Sequence, residues 1–201
     1  MGLISNTNLY FIHIPKNAGT SILESYDLKN YIGHHPIEHH QLNIKKIQKH
    51  VSKKVETFAI VRNPWDKFVS AYEYAKMKNS YWHNENNVHP LHDIVTNLSF
   101  EEFVDYVYQH KEKIDIIFEK FYHINSQHSW ICKNKVINVD HIIYYESLNE
   151  DLKHLGLKIT NNINSSERQF KNYQEYYNKK TKQMIQEIYL TDIILFGYSF
   201  D

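Results

Sequence analysis

Twice in this chain a short apolar run meets a proline and restarts as a helix, and that repeated order constrains the fold more than any other feature. Leu9 to Ile14 reads as a strand that stops at Pro15, because proline has no N–H to give a central ladder. Lys16-Asn17-Ala18-Gly19 then makes a tight loop, and a helix is expected from Thr20 through Leu28. Gly19 permits close backbone approach, and the Thr20 and Ser21 hydroxyls suit the N–H groups of a first helical turn. Such a turn points several backbone donors and the positive helix end at one place, where Lys16 adds a full charge. The expected occupant is an anion, phosphate or sulfate.

The second instance begins at Thr57 to Val61, a continuous apolar run of the kind found in a strand covered on both faces. Arg62 puts another cation at the strand's end, Pro64 suits a first helical turn, and Asp66 to Met77 carries Phe68, Val69 and Tyr72 at helical spacing. A third strand is expected at Val139 to Tyr145, turning through Glu146-Ser147-Leu148 into a helix, Asn149 to Leu155, that Gly156 closes. Elsewhere Leu42 to Val51 reads as an amphipathic helix, and Ser99-Phe100-Glu101-Glu102 as a capping box opening a helix to about His110. Asn79 to Asn97 reads as a long surface loop, and Ile114 to Ile131 as helix and loop together. Tyr173 to Ile188 reads as a terminal helix, and Asn161 to Ser166 as a polar loop. Strands alternating with helices predict one α/β domain over residues 1–201, with a mostly parallel sheet and ligands at the strands' carboxyl ends.

Charge narrows the partners. With 23 basic against 23 acidic residues there is no global pull toward nucleic acid or a membrane surface, so local charge must do any anion recognition. Cys132 is the lone cysteine, which excludes an internal disulfide and a thiolate metal cluster. Met1 to Asn8 lacks a signal-peptide pattern and no apolar run is long enough to span a bilayer, so a soluble, intracellular protein without a membrane span is expected. Asn97-Leu98-Ser99 and Asn164-Ser165-Ser166 match the N-glycosylation pattern and are read as chance.

The first loop is not a Walker A loop, in which lysine directly precedes the Ser/Thr that holds magnesium; here Lys16 comes early and Gly19-Thr20-Ser21 closes the turn. Taken together, Ile-Pro-Lys-Asn-Ala-Gly-Thr-Ser (Ile14 to Ser21) and Val-Arg-Asn-Pro-Trp-Asp-Lys-Phe-Val-Ser-Ala-Tyr (Val61 to Tyr72) resemble the two cofactor motifs of sulfotransferases that use 3′-phosphoadenosine 5′-phosphosulfate (PAPS). The closest resemblance is to the carbohydrate-type branch. It extends weakly through Tyr145-Glu146-Ser147-Leu148 and through Tyr176-Tyr177 to Phe196-Gly197-Tyr198, and so covers most of the chain.

The resemblance implies a P-loop-like three-layer fold and assigns roles. Lys16 would contact the 5′-phosphosulfate and stabilise charge on the bridging oxygen, with the backbone N–H groups of Asn17, Ala18, Gly19, Thr20 and Ser21 around the 5′-phosphate. Arg62 and Ser70 would hold the 3′-phosphate. Lys67 stands where the family often has arginine. Arg168 and Lys171 either close over the 3′-phosphate or adenine or are simply exposed basic residues. The acceptor would be a hydroxyl, of a sugar or glycan, and no metal is required. Relatives that modify sugars can carry a catalytic histidine after a glycine between the two motifs, which points to His34 as the base, His35 second, and His39 and His40 behind.

Other readings stay open beside these. His34, His35, His39 and His40 would alternatively hold zinc, although Pro36 interrupts a regular helix across them. His13 is read as structural, Glu146 as a helix cap or an orienting residue, and Trp65, Trp82 and Trp130 as core or as stacking faces. At the level of activity the alternatives are a P-loop nucleotide kinase or phosphotransferase, and a non-catalytic nucleotide- or glycan-binding module of the same fold.

Overall fold

The computed structural model describes residues 2–28, 33–78, 88–116, 121–160 and 168–201. Contacts group the chain into two compact units, residues 1–62 with 127–163 and residues 63–126 with 164–201. The α/β architecture expected from the sequence is present.

In the first unit three strands, β1 (Leu9–Ile12), β2 (Glu56–Val61) and β5 (His141–Tyr144), form a parallel sheet in the order β1-β2-β5. Phe11 pairs with Phe58, and Phe58 in turn with His141. Every β1 residue is buried, and so is β2 apart from Glu56, which explains why both strands are apolar without alternation. Leu9, Phe11, Phe58, Ile60 and Ile143 pack with Ile22 of α1 (Gly19–Ser25) and Leu152 of α7 (Leu148–His154) in one apolar cluster. Helix α2 (Ile37–Gln48) begins five residues before the expected Leu42, because Pro36 occupies its N-cap and Ile37 is buried along with His40 and Ile47.

A short hairpin in this unit escaped the sequence reading. After α6 (His128–Ile131), strand β3 (Cys132–Lys133) pairs antiparallel with β4 (Val136–Ile137). Asn134 and Lys135 both take positive φ, 51° and 63°, the combination a two-residue type I′ turn demands. Lysine is not a signal for that turn, so nothing in the sequence announced it.

The second unit is helical around its own core. Helix α3 (Pro64–Lys76) starts on Asn63, whose side chain accepts from Trp65 N–H at 3.1 Å, and Pro64 sits in its first turn as expected. Trp65, Phe68 and Tyr72 pack against Phe103 and Val107 of α5 (Phe100–Tyr108) and Ile185 of α8 (Lys179–Ile188). The Ser99 and Glu102 capping box is present in full. Two expectations are corrected here. The loop drawn from Asn79 to Asn97 contains α4 (His92–Asn97), held by buried Leu91 and Val95; residues 79–87 lie outside the described residues, as do 161–166. The terminal helix drawn from Tyr173 is a 3-10 turn over Tyr173–Tyr176, then a break at Asn178, which caps α8 by exchanging bonds with Thr181. Helix α9 (Leu190–Phe196) ends on Gly197 at φ 69°.

Register in the sheet is pinned at Asp140, just before β5. Its carboxylate accepts from Thr57 N–H and Thr57 Oγ1, both at 2.8 Å, and from Lys54 Nζ at 2.7 Å. Partial burial raises the carboxyl pKa, but the Lys54 ammonium and the two Thr57 bonds outweigh it and bring it down to about 2. A depressed acid contributes stability that is present above its ordinary value and is lost as pH falls toward 2. Asp140→Ala is expected to destabilise the protein by about 1–3 kcal/mol at pH 7 in urea denaturation, with the difference narrowing below pH 4.

Candidate functional site

The loop after β1 is held in a conformation few residues adopt. Lys16 and Ala18 both have positive φ, 68° and 58°, which costs a non-glycine residue on the order of 1 kcal/mol or more and is tolerated where surroundings enforce it. Ala18 in the left-handed region followed by helical Gly19 is the alternation that turns successive N–H groups to one side. The first α1 hydrogen bond runs from Ile22 N–H to Ala18 O, so the Gly19 and Thr20 amides belong to the turn that has no intrahelical acceptor. The N-cap is Ala18 without a side-chain cap bond, not Thr20 or Ser21 as the sequence suggested.

Gly19 is required for a different reason than expected. A Cβ there would lie 1.7 Å from His13 Nε2, so the close approach is that of the His13 ring packed beneath the loop. His13 is buried, and its pKa is held well below the ordinary value by burial, by His34 and by the Lys16 charge. It therefore stays neutral under the cradle.

Arg62 follows the last residue of β2 and is buried. Its Nη1 donates to Lys16 O at 2.9 Å, and its guanidinium carbon lies 3.9 Å from the centre of the Tyr145 ring. The basic residue of the first motif and that of the second are thus joined within one unit. Asn17 is fully buried and faces inward; its Nδ2 donates to Ile60 O and to Gln127 Oε1, both at 2.7 Å. That leaves the backbone, not the Asn17 amide, to face a ligand. Gln127 was not singled out from the sequence, where Ile114 to Ile131 reads as helix and loop together.

His34 lies beside this loop. Its Nδ1 is 3.2 Å from His13 O; a carbonyl only accepts, so Nδ1 carries the proton and Nε2 is the basic nitrogen. Its ring lies 3.8 Å from that of His13, centre to centre, and meets Trp130 edge-on. Burial lowers the His34 pKa to about 4 against the raising effect of the His13 carbonyl, with the His35 charge adding to the depression.

The other histidines separate from it. His35 is exposed and accepts from His40 Nε2 through its backbone oxygen; His40 Nδ1 takes the Tyr10 hydroxyl at 2.9 Å. Both His40 nitrogens are engaged inside the unit, and His39 points to solvent with its ring 5.4 Å from that of His35. Among the described residues no group of three His, Cys, Asp or Glu has an arrangement that could hold a metal ion.

The remaining motif residues lie in the second unit. Ser70 is buried on α3. Lys67, also buried, donates to His123 O at 3.0 Å and Asn125 O at 2.8 Å, so its charge anchors the 123–125 backbone to α3. Arg168 pairs with Asp66 at 2.8 Å, and Lys171 is exposed. Trp65 is core, with Nε1 donating to Lys182 O, while Trp82 lies outside the described residues. Glu146 is exposed in the 3-10 turn that Tyr145 opens.

The sequence matches the profile of the sulfotransferase family over residues 4–199, nearly the whole chain. The chain belongs to that family. No curated protein and no solved structure gives a significant match. Family membership makes the chemistry sulfuryl transfer and the protein a transferase, and the loop, Lys16 and Arg62 are where its strands deliver positive charge. No described helix is long and apolar enough to cross a membrane.

Because His13 fills the space a side chain at position 19 needs, Gly19→Ala is expected to distort the cradle and lower stability by about 1–3 kcal/mol. Pairing it with His13→Ala should restore part of that loss, measured by thermal unfolding of the two single variants and the double variant.

Proposed function

We propose that this sulfotransferase moves the sulfuryl group of PAPS to a hydroxyl of a sugar or glycan, leaving adenosine 3′,5′-bisphosphate. The observation that supports the reading is the bond from Arg62 Nη1 to Lys16 O, which holds the Arg62 guanidinium against the loop that carries Lys16. A mononucleotide with a single anionic end uses one of them; a donor with phosphate on both the 3′ and 5′ positions uses both.

In this reading the loop amides from Asn17 to Ser21 cradle the 5′-phosphate, and Lys16 neutralises charge that develops on the bridging oxygen as the S–O bond breaks. Arg62 holds the 3′-phosphate, its fork oriented by Lys16 O and the Tyr145 ring. Ser70 and Arg168 remain proposed 3′-phosphate contacts on the strength of the motif. His34 Nε2 takes the acceptor's proton as the acceptor oxygen bonds to sulfur, while His13 O fixes the tautomer that makes this possible. His35 is the second candidate base. The sugar-type acceptor rests on the likeness of the two motifs to the carbohydrate-type branch.

Thermal stabilisation separates this reading from a kinase-like one. Adenosine 3′,5′-bisphosphate should stabilise the protein far more than ADP or AMP at equal concentration, by about 2.7 kcal/mol when present at a hundredfold its Kd. Arg62→Ala should erase that preference; equal shifts with all three nucleotides would overturn the donor assignment.

The base has its own test. His34→Ala should lower kcat by about 10²–10⁴-fold. Since the depressed pKa keeps His34 neutral down to about 4, kcat/KM should hold through pH 6 and fall only near pH 4. Binding an anionic donor raises the pKa of a neighbouring imidazole, so the acid limb of kcat should lie higher. Near-normal turnover in His34→Ala would remove the histidine from the chemistry.

A further inference from the structure

The geometry points to Gln127 as a positioning residue that fixes the spacing between the two anion-binding ends, and so sets the preference for a nucleotide phosphorylated at both positions. Gln127 is fully buried, immediately before α6. Its Oε1 accepts from Arg62 N–H at 2.8 Å and its Nε2 donates to Arg62 O at 2.8 Å. The side-chain amide therefore pairs with both polar groups of one peptide residue, as a neighbouring strand would. Arg62 lies one residue beyond β2, where the backbone ladder to β5 has ended at Val61 with Tyr144. Glu56 N–H bonds to Asn8 O on the side of β1, and residues alternate sides along a strand, so Arg62 presents its N–H and C=O to that same side, where Gln127 meets them. With its own N–H and C=O bonded, the Arg62 backbone cannot rotate, and the direction in which its guanidinium leaves the sheet is set.

The same Oε1 also accepts from Asn17 Nδ2 at 2.7 Å. Asn17 is the residue between the two left-handed positions of the first loop, and its Nδ2 reaches back to Ile60 O on β2 as well. Arg62 Nη1 to Lys16 O closes the circuit. The loop is thus tied to Arg62 twice, directly from Lys16 O to the guanidinium and through Gln127 from the Asn17 side chain to the Arg62 backbone. Removing Gln127 leaves the two loops joined only through the Arg62 to Lys16 bond, so that one flexible side chain alone sets their spacing.

This inference rests on the donor reading above, and it separates from it in one experiment. Affinities for adenosine 3′,5′-bisphosphate and for AMP are measured by calorimetry on the wild type, Gln127→Asn and Gln127→Met. Asparagine keeps the amide but is one methylene too short to reach Asn17 and Arg62 together; methionine keeps the volume and removes every bond. Both variants are expected to lose at least tenfold in affinity for the bisphosphate while AMP, which engages only the first loop, changes by less than about twofold. A parallel loss for both nucleotides, or no loss, would overturn the role, and so would variants that no longer unfold cooperatively, since Gln127 would then be a requirement of folding. A wild type that binds both nucleotides alike would defeat the donor reading itself and this inference with it.

Discussion

The bond from the Arg62 guanidinium to the Lys16 carbonyl is the contact on which the site depends. It joins segments 46 residues apart in sequence, and each is held in turn by something the sheet supplies. Arg62 follows directly on β2, and Lys16 follows the proline that ends the run begun by β1, which pairs with β2 in parallel. Parallel neighbours bring their carboxyl ends to the same edge, so two loops that never meet in sequence must meet there. A guanidinium donating to a carbonyl is favourable in itself, and it also keeps the cation from folding away when no anion is present.

Much of this was legible in the sequence because it depends on local chemistry. Proline ends a strand, an unbroken apolar run marks a strand covered on both faces, and a lysine or arginine at such a strand's end marks a cation at the sheet's edge. Those rules located β1, β2, α3 and the two loops to within a few residues, and they put Lys16 and Arg62 just past the carboxyl ends of their strands. The resemblance supplied the family; the match over residues 4–199 shows it.

What stayed hidden depends on partners far away in sequence. Gln127 sits in a polar stretch that carries no periodicity, and only tertiary contacts show that Asn125, Ser126 and Gln127 are all fully buried. Lys67 stands where the family often has arginine, and only the structure shows its ammonium donating to two backbone carbonyls. The hairpin after α6 turns on Asn134 and Lys135 in left-handed conformations, and a lysine there gives no warning. Within the histidine cluster, His34 is the member whose Nδ1 meets the His13 carbonyl; His40 is buried with both ring nitrogens engaged, and His35 and His39 are exposed.

The packing of His13 under Gly19 has a consequence for how this loop can change over time. Positions 13 and 19 share one volume, too small for an imidazole and a methyl group together. They are therefore a single unit of variation, and a lineage or a mutant library that adds a side chain at 19 while His13 stays samples mostly broken loops. A smaller residue at position 13 would open position 19 to side chains that glycine now excludes. Position 19 would then be free to drift while the rest of the loop kept its sequence.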